Sequence, residues 1–113
     1  MIKMTLLIVR KAGTSFDEFK DYWVNKHLPI VQAVPEVAQY SRRYVQQYNT
    51  RSSPDHTPAA QFDGIAEAWF DSLEDALALV NSDNWINIIK KDDLNFLDVA
   101  RTQMMLSEEK TFD

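Results

Sequence analysis

Lys3-Met4-Thr5-Leu6-Leu7-Ile8-Val9 decides the fold. Counting by twos along a strand puts Met4, Leu6 and Ile8 on one face and Leu7 and Val9 on the other. A strand that is apolar on both faces needs cover on both sides, so it belongs at the centre of a sheet. Everything downstream has to supply that cover. Ser15 followed by Glu18 is a capping-box spacing, so a helix starts there. Its Phe16, Phe19, Trp23 and His27 recur at i, i+3, i+7 and i+11, within roughly 80° of one another on a helical wheel. Pro29 disfavours helical geometry at Leu28, so the spacing predicts that the helix ends beside His27.

A second strand is expected over residues 36–48, then a polar loop over 49–61 with Pro54 and Pro58, then a third strand over 62–70. Ser72 caps a second helix, whose Leu73, Ala76, Leu77 and Val80 sit at i, i+3, i+4 and i+7. A further helical stretch over 84–97 turns Trp85, Ile88, Ile89 and Phe96 inward. The last strand is expected over 99–107. The order β-α-β-β-α-(α)-β is the split βαβ arrangement of ferredoxin-like α+β folds, a four-stranded antiparallel sheet with helices on one face. The other face would carry Leu7, Val9, Val45, Ile65 and Trp69. An apolar face of that size is rarely left in water, and a second copy of the same sheet is its simplest cover.

The 113 residues make one domain, 1–113, with 45% hydrophobic and 26% charged residues. A net charge of −5 argues against nucleic acid as a partner, since no basic run exceeds the Arg42-Arg43 and Lys90-Lys91 pairs. The absence of cysteine excludes disulfides, thiolate metal sites and cysteine nucleophiles. The longest apolar run, Leu6 to Val9, is too short to span a bilayer, and the N-terminus lacks a signal-peptide layout, so the expectation is no membrane and a cytoplasmic location.

His27, at the end of an aromatic helix face, is the leading candidate for chemistry. It either complements the last helix carbonyls or serves as a proton-transfer group. On the second strand, Ala38, Tyr40, Arg42, Tyr44 and Gln46 share one face by alternation. They form either an edge-like surface with wet hydroxyls or the wall of a pocket shared with His27. On the third strand Gly64, Ala66 and Ala68 share a face, which leaves room either for a ligand or for close helix packing. Glu67 would point away, under the sheet. His56 sits in the Pro-flanked loop, and Asp92, Asp93 and Asp98 cluster near the end of the third helix. No ligand spacing indicates a transition metal, no glycine-rich loop a nucleotide, and no Gly-flanked serine a nucleophile elbow.

Phe19-x-x-Tyr22-Trp23-x-x-x-His27-x-Pro29, Tyr40-Ser41-Arg42-Arg43-Tyr44-Val45, Phe62-Asp63-Gly64-Ile65-Ala66-Glu67-Ala68-Trp69-Phe70 and Asp92-Asp93-x-x-Phe96-x-Asp98 together resemble the EthD family over nearly the whole chain. The resemblance implies a ferredoxin-like monomer that pairs through its sheets into a dimeric α+β barrel, with a pocket between sheet and helices in each copy. Relatives of that architecture include cofactor-free monooxygenases, polyketide cyclases, decarboxylases and lactone isomerases. Set beside the methylmuconolactone methylisomerases, a pocket histidine falls on His27, a pocket tyrosine on Tyr40 and a loop histidine near His56. Those enzymes carry a cysteine where this chain has Ala68.

The resulting expectation is a cofactor-independent, metal-free enzyme acting on a small, apolar, oxygenated substrate of aromatic or polyketide metabolism, working as a homodimer. Its His27 would transfer protons in an isomerase, cyclase or decarboxylase type of reaction, and Tyr40 would donate to a developing enolate. Phe19, Trp23, Arg42, His56, Ala66 and Ala68 would bind the substrate. The alternatives are a cofactor-free oxidoreductase and a non-catalytic ligand-binding protein.

Overall fold

The computed structural model describes residues 1–113. Strands β1 (Ile2–Ile8), β2 (Ser41–Tyr48), β3 (Gly64–Phe70) and β4 (Gln103–Glu108) form one antiparallel sheet in the order β2-β3-β1-β4. The doubly apolar β1 is therefore central, paired with β3 from Ile2↔Phe70 to Ile8↔Gly64 and with β4 from Ile2↔Glu108 to Leu7↔Gln103. Helices pack on one face, where Met4, Ile8, Ala66, Ala68 and Phe70 are buried. This is the ferredoxin-like α+β architecture. No helix is long and apolar enough to cross a membrane.

The capping box forms as the spacing predicts. Ser15 Oγ accepts from the Glu18 amide at 3.1 Å, and the Glu18 carboxylate accepts from the Ser15 amide at 3.1 Å, starting α1 (Phe16–Tyr22). The predicted stop at Pro29 does not occur. The chain passes through a π-helical turn, Trp23–His27, straight into α2 (Leu28–Gln32). In that turn the Leu28 amide reaches back to the Trp23 carbonyl, one residue beyond α-helical reach. The wider turn accepts the pyrrolidine ring without the clash a proline makes with the carbonyl four residues back. His27 therefore lies inside a continuous helical path rather than at its end.

The expected long second strand is also corrected. Residues 35–40 form α3 (Pro35–Tyr40), with Val34 extended before it and Pro35 in its first turn, a position that suits proline. Val37 and Tyr40, three apart, pack on the core around Met4, Phe70 and Trp85. The strand begins only at Ser41, and a bulge between Ser41 and Arg43 throws Arg42 out of the ladder. Beyond it Tyr44, Gln46 and Tyr48 oppose Ala68, Ala66 and Gly64.

Ser72 caps α4 (Leu73–Val80) by accepting from the Asp75 amide at 3.1 Å. A second π-helical turn, Trp85–Ile89, leads into α5 (Lys90–Asp93). The third helix thus stops at Asp93, short of the expected residue 97, and Ile88 is 42% exposed rather than inward. Phe96 and Leu97 then return to the core in a turn, and β4 starts at Gln103 rather than near Val99.

The face of the sheet away from the helices is mixed rather than apolar. Glu67 pairs with Lys3 and accepts from Gln47. Trp69 has the Arg43 guanidinium 4.8 Å and the Lys3 ammonium 5.2 Å from its ring centroid, and its indole N–H donates to Glu109 at 2.9 Å. Val9, expected on this face, is instead buried just past the end of β1.

Candidate functional site

The core consists of two apolar clusters. One gathers Met4, Ala68, Phe70, Leu79, Trp85 and Ile89, and the other Ile8, Phe19, Trp23, Ala66, Phe96 and Leu97. Between them lies a cavity of about 160 Å³ lined by residues of both. An apolar cavity of about 150 Å³ holds a benzene-sized ring, so this one has room for a single six-membered ring. Its walls are mostly aliphatic and aromatic, with His27, Tyr44, Lys90 and Asp93 among the few polar groups that reach it.

The small residues of β3 explain where the space is and where it is not. A methyl group added at Gly64 would stand 2.8 Å from the Gln47 carbonyl oxygen and 2.8 Å from the Trp23 ring. Gly64 is thus filled by the close approach of Trp23, while Ala66 and Ala68 face the cavity.

His27 is only 6% exposed and packs 4.7 Å, centroid to centroid, from the Phe96 ring. Its Nδ1 lies 2.7 Å from Asp92 Oδ2. Asp92 Oδ1 in turn accepts from the Tyr22 hydroxyl at 2.8 Å and from the Asn95 amide at 3.0 Å. Burial works against ionisation of Asp92, yet the hydrogen bonds from His27, Tyr22 and Asn95 prevail and hold its carboxyl below the usual range. An ionised Asp92 only accepts, so Nδ1 carries the proton and donates to it, which leaves Nε2 as the free edge of a neutral ring. Burial pulls the His27 pKa below 6.5, against the raising effect of Asp92.

That free edge meets a second carboxyl. Nε2 lies 3.5 Å from Asp93 Oδ1, and both residues line the cavity. Asp93 has no hydrogen-bonded network of its own. Burial pushes its pKa up to about 7, opposed by Lys90 and assisted by the negative charge of Asp92. Adjacent carboxylates on one short helix thus diverge, Asp92 being a bonded anion and Asp93 an acid that holds its proton to near neutrality. From the sheet side Tyr44 reaches the cavity. Its hydroxyl accepts from Gln46 at 3.1 Å, and burial raises its pKa. No group of three or more His, Asp or Glu side chains is arranged to hold a metal ion.

The sequence-derived candidates separate cleanly. His27, Trp23, Ala66 and Ala68 line the cavity. Phe19 is fully buried behind it, 5.5 Å from the Trp23 ring. Tyr40 ends α3 against the core and does not reach the cavity, and Tyr44, one turn of the ladder further on, takes that wall. Arg42, thrown out by the bulge, binds Asp71 at 2.9 and 3.0 Å on the surface. His56 stands in a shallow depression made only of loop residues 53–59. From the sequence, Asp92 and Asp93 stand out only as an acidic cluster and Tyr44 only as one of five residues on a possible pocket wall. The signal in the sequence is a pair of carboxylates, Asp92-Asp93, behind Lys90-Lys91 at the end of the helical stretch that carries Trp85 and Ile89.

Comparison with known proteins places this geometry. Residues 11–100 match the model of the EthD domain. An EthD family protein from Bacillus halodurans superposes with a TM-score of 0.70 at 20% identity, covering 97% of this chain and 99% of that one. An EthD-like protein from Ralstonia eutropha gives 0.66 at 23% identity over 95% and 89%. A dimeric protein of unknown function and ferredoxin-like fold from Bacteroides fragilis gives 0.65 at 15% over 96% and 95%. No curated protein matches the chain.

Proposed function

The chain belongs to the EthD family, and from that premise we propose that it is a proton-transfer enzyme needing no cofactor, acting on a small, ring-sized, oxygenated and largely apolar substrate. The observation that carries this reading is the His27 ring, held through Nδ1 by Asp92 at 2.7 Å and presenting Nε2 to a cavity of about 160 Å³. A fixed imidazole with one edge bonded to a carboxylate and the other open is a general base and, once protonated, a general acid. The aliphatic and aromatic walls select an apolar body. Tyr44 stands on the sheet side as a hydrogen-bond donor to charge developing on a substrate oxygen.

His27→Asn tests this. Across a panel of monocyclic lactones, enolisable ketones and phenols, the substituted protein should bind those compounds that the parent converts, while their turnover falls about 10²- to 10⁴-fold. Unchanged turnover would remove His27 from the chemistry. Binding with no turnover of any compound by the parent would favour a ligand carrier, and oxygen uptake by the parent an oxidoreductase.

We further propose that two copies pair through the open sheet faces. The half-exposed Val45, Ile65 and Trp69 supply apolar contact there. The Bacteroides fragilis protein of the same fold is described as dimeric.

A further inference from the structure

The proposal above uses one edge of one ring. It leaves Asp93 without a role, although this carboxyl is largely withdrawn from solvent, its side chain 15% exposed, lines the same cavity and has no strong partner. Its nearest cation, Lys90 Nζ, is 4.0 Å away and half exposed. His27 Nε2 is 3.5 Å away, too far for a strong hydrogen bond and near enough that one ligand atom can touch both. A structural carboxylate in this position would be expected to carry donors, as Asp92 does with three. Asp93 has none within hydrogen-bond reach apart from that long contact.

We propose that Asp93 is the second proton-transfer group of the cavity, giving a proton to a carbonyl oxygen of the ligand while His27 takes one from the adjacent carbon, so that the substrate class is an enolisable cyclic ketone or lactone. This rests on the proton-transfer reading of His27. In the step, the Nε2 lone pair of His27 takes the α-hydrogen as a proton, and the C–H electron pair becomes the C=C bond of an enol. The carbonyl π pair accepts the proton of the Asp93 carboxyl. Enol, imidazolium and carboxylate result, with no oxidant or reductant. The imidazolium then gives its proton to the same carbon, restoring the ketone, or to a conjugated carbon, moving the double bond, while the enol O–H proton returns to the Asp93 carboxylate. Both groups end in their starting states, and exchange of the imidazolium proton with solvent between the two steps brings deuterium to the carbon.

The groups that bear on Asp93 are Lys90 on its own helix, the neighbouring Asp92, His27 from the first helical path and Tyr44 from β2. Lys90 opposes protonation of Asp93 and Asp92 favours it, while burial outweighs both. The base must be neutral and the acid protonated. The rate therefore rises with pH through the lowered His27 pKa and falls again above about 7 as Asp93 ionises.

The test is loss of the α-hydrogens of cyclohexanone in D₂O, followed by proton NMR from pH 5 to 9. The probe is a six-membered ring with one carbonyl. The protein should accelerate exchange over the His27→Asn/Asp93→Asn double variant, with a maximum near neutrality. Asp93→Asn should lower the maximum about 10²-fold and abolish the decline above pH about 7, because the amide does not titrate. A merely structural role would lower the rate without changing that limb. Exchange by Asp93→Asn at the parent rate, with the decline kept, would overturn the role of Asp93 and leave that of His27 standing. A parent no faster than the double variant would overturn both. If Asp93→Asn does not fold, the parent profile still decides, since a rate that stays flat from pH 7 to 9 overturns the proposal.

Discussion

Asp92 Oδ2 sits 2.7 Å from His27 Nδ1 while its other oxygen is occupied by Tyr22 and Asn95, so one carboxylate fixes both the tautomer and the tilt of the ring. Asp92→Asn keeps the shape and removes the charge. Since Asp92 raises the His27 pKa and burial lowers it, removing the charge leaves burial unopposed and the pKa falls further. Following the His27 ring protons by NMR titration should show this fall, with turnover reduced about 10²-fold or more because the ring loses its orienting anion. A His27 titration that stays where it was would mean that the 2.7 Å contact is not charge-assisted.

The opposite shift at Asp93 is a stability statement. Its pKa is raised in the folded chain, from 3.8 to about 7, so the folded state binds more protons than the unfolded one between those values. Stability from this group is therefore present at low pH and lost as pH rises toward 7. At about 1.4 kcal/mol per unit, ionising Asp93 costs a few kcal/mol at pH 8. Thermal melts should show Asp93→Asn more stable than the parent at pH 8, with the advantage shrinking toward pH 4.

How far the sequence could be read is clearest at the two prolines. The central strand, the capping box at Ser15 and the alternation of β3 follow from local chemistry, and the sheet order follows from them. Pro29 reads as a stop, and Pro35 stands just ahead of a strand expected from Glu36. Their real roles, following a π-turn and opening a short helix, depend on backbone paths that periodicity does not encode. The consequence for the site was specific. Alternation counted from Tyr40 runs through a helix end and a bulge that it does not show, so it sets Tyr40 and Arg42 on the same face as Tyr44, which alone reaches the cavity. His27, Trp23, Ala66 and Ala68 were legible because each lies on a regular face. Asp92 and Asp93 were not, because their meeting with His27 joins two helical segments 65 residues apart.

The misplaced tyrosine gives a paired comparison. Tyr44→Phe removes a hydroxyl from the cavity, whereas Tyr40→Phe removes one from the end of α3. Cyclohexanone exchange should fall several-fold in the first and stay within experimental error in the second. His56→Ala, on its separate loop, should behave like Tyr40→Phe. The reverse order would return the substrate contact to residue 40.

Gly64 and Ala68 lie on one face of β3 and should respond oppositely to added bulk. Gly64→Ala places a methyl against backbone and the Trp23 ring at 2.8 Å, and overpacking of this kind costs about 1–3 kcal/mol. For a domain of this size that is a fall in Tm of several degrees. Ala68→Phe adds a ring where there is space, so it should block cyclohexanone binding with little change in Tm. A collapse of Tm in Ala68→Phe would mean that the cavity is closed in solution.

Pairing of two sheets is testable apart from any chemistry. The open face presents Trp69 between Arg43 and Lys3, with Val45 and Ile65 half-exposed near it. The Trp69 ring is only half-buried in the single chain, so a second sheet completes its burial. Light scattering at micromolar concentration should give about twice the 13.1 kDa chain mass. Trp69→Glu places a carboxylate between Lys3 and Arg43 and removes the largest apolar surface of the face. It should shift the mass toward the monomer while leaving the helix side, and with it the Asp92–His27 contact, unchanged. A parent that stays monomeric at hundreds of micromolar would show that the mixed charges of this face suffice to keep it in water, and the barrel would fall with the dimer.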